Sequence, residues 1–318
     1  MSGNRGKGKV AIVGAGDVGA TTAFSLMTTG LVSELVLVDI DEAKAEGEAM
    51  DLNHGAYFTP PVRITTGDYE DCHDADVVVV TAGAAQEPGE TRLDLMEKNA
   101  AIFEEMIPSI ADGLHDDGVL LIVTNPVDVL SYVSWEVSDL PHERVIGSGT
   151  VLDTSRFRHV LSKRCDIDPG NVHAYVLGEH GDSEVMVWSA TDVSGVSFDR
   201  FCAQQGIGLS PADREAVEET VREAAYEIIE RKGATYYAIG LATTEIVEAI
   251  IRDERSVLTV STLLQGEYGV EDVYMSVPSI VGRDGVEDVL EFELTDEELA
   301  ELQESARVLR ENREAMGR

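Results

Sequence analysis

Lys9-Val10-Ala11-Ile12-Val13-Gly14-Ala15-Gly16-Asp17-Val18-Gly19 is the stretch that decides the fold. A short apolar run ends in glycines spaced G-x-G-x-x-G, and a helical stretch over 17–29 follows. Asp39 stands 20 residues beyond Gly19, at the end of the next strand-like run, 34–38. Each piece has a physical task in holding a dinucleotide. The glycines permit a tight turn and a close backbone approach, the helix N-terminus faces a pyrophosphate, and the acid accepts from ribose hydroxyls. The spacing alone is common, and a βα turn that binds nothing is the alternative. Strand, turn, helix and acid together favour the dinucleotide. A carboxylate at 39 repels a 2′-phosphate, so NAD is expected over NADP. Thr81-Ala82-Gly83, at the end of a later strand, is the second loop expected to touch the cofactor.

Outward from that turn, the first half alternates strand and helix signals. Strands are expected at 9–13, 34–38, 63–66, 76–81, 119–124 and 145–147, with helices at 17–29, 42–53, 94–113 and 127–137. Runs such as Val77-Val78-Val79-Val80 carry no polar alternation, which implies a parallel sheet covered on both faces. That is the doubly wound α/β architecture. The second half differs. Strand signals at 172–177, 185–190, 191–196, 256–263, 273–277, 279–281 and 286–292 mix with helical stretches at 212–232 and 235–252, broken at Gly233. A terminal helix over 295–316 starts with Thr295 as N-cap and Glu298 three residues on, a capping box. The reading is a Rossmann NAD-binding domain over 1–148 and a C-terminal α+β substrate domain over 149–318.

Charge is the unusual quantity. Sixty acidic residues against 24 basic ones give −36 over 318 residues, and only Lys7, Lys9, Lys44, Lys98, Lys163 and Lys232 are lysines. The acids run through the whole length, so they are not a tail. A globular chain this acidic repels itself at low salt, whereas at ~1 M salt the Debye length falls to about 3 Å. A halophilic protein is the expectation. Nucleic acid and an anionic membrane are excluded as partners by the same field. No apolar run approaches a membrane span, and the basic, Gly-rich start leads into only four apolar residues, 10–13, so neither a signal peptide nor an anchor is read and a cytoplasmic protein is expected. Cys72, Cys165 and Cys202 are too few and too scattered for a disulfide framework, and the histidines have no metal-ligand spacing, so no metal is expected.

Two further motifs sit in the second half. Gly178-Glu179-His180-Gly181-Asp182 puts a histidine in a glycine-flanked loop, and Leu152-Asp153-Thr154-Ser155-Arg156 puts an acid and a base on one helical face. A lone histidine is more often structural, and an i,i+3 pair is more often a surface salt bridge. Together with 14–19, Asp39 and Thr124-Asn125-Pro126, however, these residues closely resemble the NAD-dependent lactate/malate dehydrogenase family, from about Lys9 to the C-terminal helix. The stretches 147–158 and 171–182 are most similar to bacterial-type L-lactate dehydrogenases.

The resemblance implies roles that fit the chemistry. His180 is the general acid/base for a 2-hydroxy acid, and Asp153 orients its ring and steadies its charge. Arg156 clamps the substrate carboxylate in the two-pronged manner lysine cannot match. Arg92 lies on a closing loop and polarises the carbonyl. Asn125 bonds near the substrate carbonyl and the nicotinamide, Thr235 lines the substrate pocket, and Ser148 and Ile239 face the nicotinamide. Malate enzymes of the family carry an arginine six residues before the catalytic arginine; this chain has Gln86, which cannot pair with a second carboxylate. Pyruvate/lactate is therefore expected, with malate/oxaloacetate as the rival and a non-catalytic NAD-binding protein as the more distant one. By the same resemblance the chain is a homotetramer, and Arg158 and His173 match an intersubunit site for fructose 1,6-bisphosphate. Arg158 in an internal salt bridge and His173 as an ordinary strand histidine are the plain alternative.

Overall fold

The computed structural model describes residues 8–84, 91–115 and 117–317. β1 (Gly8–Val13), α1 (Asp17–Thr29), β2 (Val32–Val38), α2 (Glu42–Gly55), β3 (Arg63–Gly67), β4 (Val77–Val80), α3 (Arg92–Ala111), β5 (Val119–Ile122), α4 (Val127–Ser138) and β6 (Val145–Gly147) alternate in chain order. Their strands pair in parallel, in the order β6-β5-β4-β1-β2-β3. The reversal between β1 and β4 opens the crevice at which α/β sheets bind ligands.

The unbroken apolar strands follow from burial on both faces. Val10, Ile12, Val77, Val79, Val119 and Leu121 point into one core layer. Ala11, Val13, Val78, Val80, Leu120 and Ile122 point into the other. A period of two is thus present in space although both phases are apolar in sequence.

The second half runs α5 (Val151–Cys165), β7 (Val172–His173), β8 (Val176–Leu177), β9 (Val185–Met186), β10 (Asp192–Val193), β11 (Val196–Ser197), α6 (Phe198–Gln205), α7 (Pro211–Lys232), α8 (Tyr237–Arg252), β12 (Ser256–Gln265), β13 (Glu271–Gly282), β14 (Gly285–Val289) and α9 (Asp296–Ala315). It is not packed as a separate body. β12 joins the Rossmann sheet antiparallel to β6 at Ser261 and Gly147, and β13 and β14 extend it, so the main sheet has nine strands among the described residues, beside a three-stranded and a two-stranded sheet. α8 sends Ile246, Val247, Ala249 and Ile250 into the layer that also holds Ala23, Leu26 and Met27 of α1. The Thr244 hydroxyl donates to Ser25 Oγ at 2.8 Å across that contact.

Several expected elements change. The strand expected over 172–177 divides into β7 and β8, which join different sheets. The strand signals at 185–190 and 191–196 contract to two-residue pairings with turns between them, where Ser194 and Gly195 take positive φ. The runs 273–277 and 279–281 are one strand, because Pro278 pairs with Thr259 and its carbonyl still accepts the Leu290 N–H at 2.7 Å. The short helix α6 was not expected; Phe198, Phe201 and Cys202 give it an apolar face at i, i+3 and i+4. Among the described residues, no helix is long and apolar enough to cross a membrane.

Candidate active site

The turn between β1 and α1 is built by close approach. Gly14 holds φ at +107°, and a Cβ there would lie 2.5 Å from the Ala82 nitrogen. A Cβ on Gly19 would lie 1.8 Å from the Gly14 carbonyl oxygen. Backbone atoms cannot yield at such distances, so both glycines are required by the protein itself. Gly16 differs, since a Cβ there would meet nothing within 4 Å. The packing of the chain does not require glycine at 16, where the turn opens onto free space. Gly16 is also the N-cap of α1 and makes no side-chain capping bond, and Asp17 beside it is exposed while Val18 turns toward the core. First-turn N–H groups at such an end favour an anion. These features fit a dinucleotide.

The expected neighbours gather round the turn. The Thr81 hydroxyl donates to the Gly14 carbonyl at 2.8 Å, and the Thr81 and Ala82 N–H groups donate to the Val13 carbonyl at 2.8 and 2.9 Å. Gly83 lies under Thr124, whose Cγ2 would be 2.5 Å from an added Cβ. Asp39 braces the turn as well. Its Oδ2 accepts the Ala15 N–H at 2.6 Å and its Oδ1 accepts the Asp41 N–H at 2.9 Å. A carboxylate has about four lone-pair sites, so these two bonds leave capacity for hydroxyl donors. The sequence reading missed Asn99. Buried in α3, it accepts the Ala84 N–H at 2.7 Å and donates to the Asn125 carbonyl at 3.3 Å, tying the loops after β4 and β5 together.

The histidine loop is held by β13 and α9. Gly178, at φ +93°, exchanges two 2.9 Å backbone bonds with Ser276 of β13, and the Glu179 N–H donates to Ser305 Oγ of α9 at 2.8 Å. His180 is then held twice. Its backbone N–H donates to Asp128 Oδ2 at 2.8 Å, and its ring Nδ1 lies 2.5 Å from Asp153 Oδ2. The other Asp153 oxygen accepts from Arg156 Nη1 at 2.6 Å. The 153/156 pair has the i,i+3 spacing of a surface salt bridge but is not at the surface, with side chains 2% and 14% exposed.

The electrostatics follow from this packing. Burial alone raises the Asp153 carboxyl, but the charge and hydrogen bonds of His180 and Arg156 outweigh it and hold the group below its usual range. Burial alone lowers the His180 imidazole. Asp153, by charge and hydrogen bond, with Asp128 and Glu184 behind it, lifts it to about 9. A charged imidazole at neutral pH with one nitrogen fixed has its other nitrogen available for proton exchange. Asp128 was also missed. It sits buried in α4, accepts the Ser261 hydroxyl of β12 at 2.6 Å, and burial pushes its carboxyl up to about 6. Its signal in the sequence was a single acid inside the apolar run Val127-Asp128-Val129-Leu130.

The remaining expected residues are placed less tightly. Ser148 is buried after β6, its N–H on the Ile122 carbonyl at 2.8 Å. Ile239 packs against the core from the first turn of α8, and Thr235 lies half-buried in the α7–α8 connection after Gly233. Arg158 Nε donates to the Ala174 carbonyl at 3.0 Å and its guanidinium lies 5.4 Å from the Tyr175 ring. His173 is exposed on β7, one residue before that carbonyl, so both flank one strand. Gln86 lies outside the described residues, and so does the Arg92 side chain; the Arg92 backbone opens α3 behind the Thr91/Asp94 capping box. Cys72, Cys165 and Cys202 are buried free thiols.

Residues 8–147 match the family model described as lactate/malate dehydrogenase, NAD binding domain, and residues 150–317 match the lactate/malate dehydrogenase, alpha/beta C-terminal domain. The chain is 55% identical over 301 residues to an L-lactate dehydrogenase of Thermoanaerobacterium saccharolyticum, covering 95% of this chain and 96% of that one. It is 52% identical over 304 residues to L-lactate dehydrogenase 1 of Clostridium acetobutylicum, covering 96% and 97%. Among solved structures, a lactate dehydrogenase from a Medee basin deep-sea metagenome library superposes with a TM-score of 0.94 at 46% identity, covering 98% of this chain and 99% of that one. The minor L-lactate dehydrogenase of Enterococcus mundtii superposes with a TM-score of 0.93 at 44% identity, covering 97% and 98%.

Proposed function

The chain belongs to the lactate/malate dehydrogenase family, and from that premise we propose that it is an NAD-dependent L-lactate dehydrogenase, interconverting L-lactate and pyruvate. The observation that carries the mechanism is the buried Asp153 carboxylate, bonded on one oxygen to His180 and on the other to Arg156. The choice of lactate is supported by the L-lactate dehydrogenases at 51–55% identity and by Gln86.

NAD, when bound, supplies the hydride acceptor for lactate oxidation and the donor for the reverse. The residues suited to hold it are Gly14, Gly16, Asp17, Val18, Gly19 and Asp39, the loop Thr81-Ala82-Gly83, and Asn125, Ser148 and Ile239. His180 Nδ1 faces Asp153, so Nε2 is the nitrogen that takes the hydroxyl proton from lactate and returns it to the pyruvate carbonyl oxygen. Asp153 keeps the ring oriented and steadies the imidazolium without taking the proton itself. Arg156 spends one donor on Asp153; a guanidinium has five, enough to grip the substrate carboxylate with two more. Arg92 stabilises charge developing on the carbonyl oxygen, Thr235 lines the substrate pocket, and Gln86 offers no charge to a second carboxylate.

The same reading makes the protein cytoplasmic, homotetrameric and halophilic, with an anion site for fructose 1,6-bisphosphate at Arg158 and His173. The direct test is product analysis. Pyruvate with NADH is expected to yield L-lactate in equal amount to the NADH consumed, resolved by chiral chromatography. D-lactate, or NADH loss without lactate, contradicts the proposal.

A further inference from the structure

The loop that carries His180 turns at Gly181 and delivers Glu184 to the inside of the molecule. The Glu184 N–H faces the Gly181 carbonyl at 3.3 Å, and β9 starts at the next residue. Glu184 is only 5% exposed, and its Oε1 is enclosed without a hydrogen-bond partner among the described residues. A buried carboxyl oxygen lacking a donor is rare enough to call for a reason. The charged groups facing it are Asp153 and Arg156 from α5, Arg222 from α7, and His180 on its own loop. Arg222 is itself drawn to Glu218 at 3.4 Å and reaches the Glu184 carbonyl with Nη2 at 3.4 Å. Asp128 of α4, which accepts the His180 backbone N–H, also acts on the ring by its charge. No step of the mechanism above uses Glu184.

We propose that Glu184 is a positioning residue for His180: a carboxyl enclosed beside the His180–Asp153–Arg156 chain, whose charge sets how firmly the imidazole keeps its proton. The inference rests on His180 being the proton carrier of the reaction. Burial first, and then repulsion from Asp153, push the Glu184 carboxyl up to about 8 against the pull of His180, Arg222 and Arg156. Glu184 therefore carries its proton at neutral pH, and its ionisation is tied to that of His180. While neutral, it adds no negative charge where an anionic substrate must reach Arg156. Once ionised, it sits beside the imidazolium and delays loss of the ring proton, so the two groups titrate as a unit.

Pyruvate reduction needs the protonated imidazole and lactate oxidation the neutral one. Glu184→Gln keeps the shape and removes the ionisation. In that variant the alkaline limb of pyruvate reduction and the limb on which lactate oxidation switches on are both expected to move to lower pH, by about half a unit to one unit. A purely structural residue would lower kcat at every pH and leave both limbs in place; that outcome, or an unchanged profile, overturns the proposal. Should the variant fail to fold, infrared difference spectra of the wild-type protein from about pH 6 to about pH 10 carry the test. A protonated-carboxyl band that is present at neutral pH and vanishes toward about pH 10 supports it, and no such band overturns it. Wild-type pyruvate reduction at neutral pH separates the two readings. Its absence sinks the proposed function and this inference with it, whereas activity with unmoved limbs sinks the role of Glu184 alone.

Discussion

Replacing Asp153 with asparagine removes one charge from the centre of the site and changes little else in shape. The His180 ring then loses the carboxylate 2.5 Å from Nδ1. In the wild-type protein the imidazole is lifted from 6.5 to about 9 although burial works against it, and Asp153 is the largest of the raising causes. One unit is about 1.4 kcal/mol, so the lift corresponds to about 3 kcal/mol of preference for the charged ring, an upper figure because the ring edge still meets solvent. Without Asp153, burial prevails and the ring loses its proton at a much lower pH, with Asp128 opposing it. The acid needed for pyruvate reduction is then mostly lost at pH 7, and the imidazolium is unsupported in the transition state. We expect kcat/KM for pyruvate at pH 7 to fall by about two to three orders of magnitude. The alkaline limb should fall by about two to three units. The assay is NADH oxidation at saturating NADH across pH, with a urea transition on each variant to confirm folding. An Asp153→Asn protein with its alkaline limb still near 9 would refute the reasoning, whatever its kcat.

Gly16→Ala is expected to keep the urea midpoint and weaken NADH binding by about tenfold or more, measured by fluorescence titration, because its Cβ meets no protein atom but stands where a ligand would approach. Gly19→Ala should instead destabilise by about 3 kcal/mol or more, since its Cβ would collide with the Gly14 carbonyl at 1.8 Å. With −36 charges to screen, the thermal midpoint should rise steeply from low to multimolar KCl; equal midpoints reject the halophilic reading. Fructose 1,6-bisphosphate should lower the KM for pyruvate, and Arg158→Gln should abolish the effect; no activation at either low or high salt rejects the anion site.

Legibility was uneven for physical reasons. β1, its glycine turn and α1 could be read because strand, turn and helix are contiguous and Gly14 and Gly19 are fixed by contacts within that unit or with the loop after β4. The parallel strands were legible as runs because both of their faces are buried. The join of β6 to β12 through Gly147 and Ser261 left no local trace, since nothing near either residue encodes a partner so distant in sequence. The two-residue strands β7 to β11 are pairings imposed by tertiary packing, not by propensity. In the site, Asp153 and Arg156 share a helical face that spacing alone reveals, but their meeting with His180 is a tertiary fact, and only resemblance suggested it. Asp128 was hidden because a helix-compatible acid in an apolar run looks like any other polar residue until its partners, the His180 N–H and the Ser261 hydroxyl, are seen.

The central claim is a preference for the monocarboxylic substrate, and the most direct measurement compares kcat/KM for pyruvate and oxaloacetate with NADH in multimolar KCl, for the wild type and Gln86→Arg. Pyruvate is predicted to be favoured by about two orders of magnitude or more, and the arginine variant to shift that ratio toward oxaloacetate, because an unpaired second carboxylate is costly to desolvate. A wild-type preference for oxaloacetate would contradict the assignment while leaving the fold and the His180–Asp153 chemistry intact.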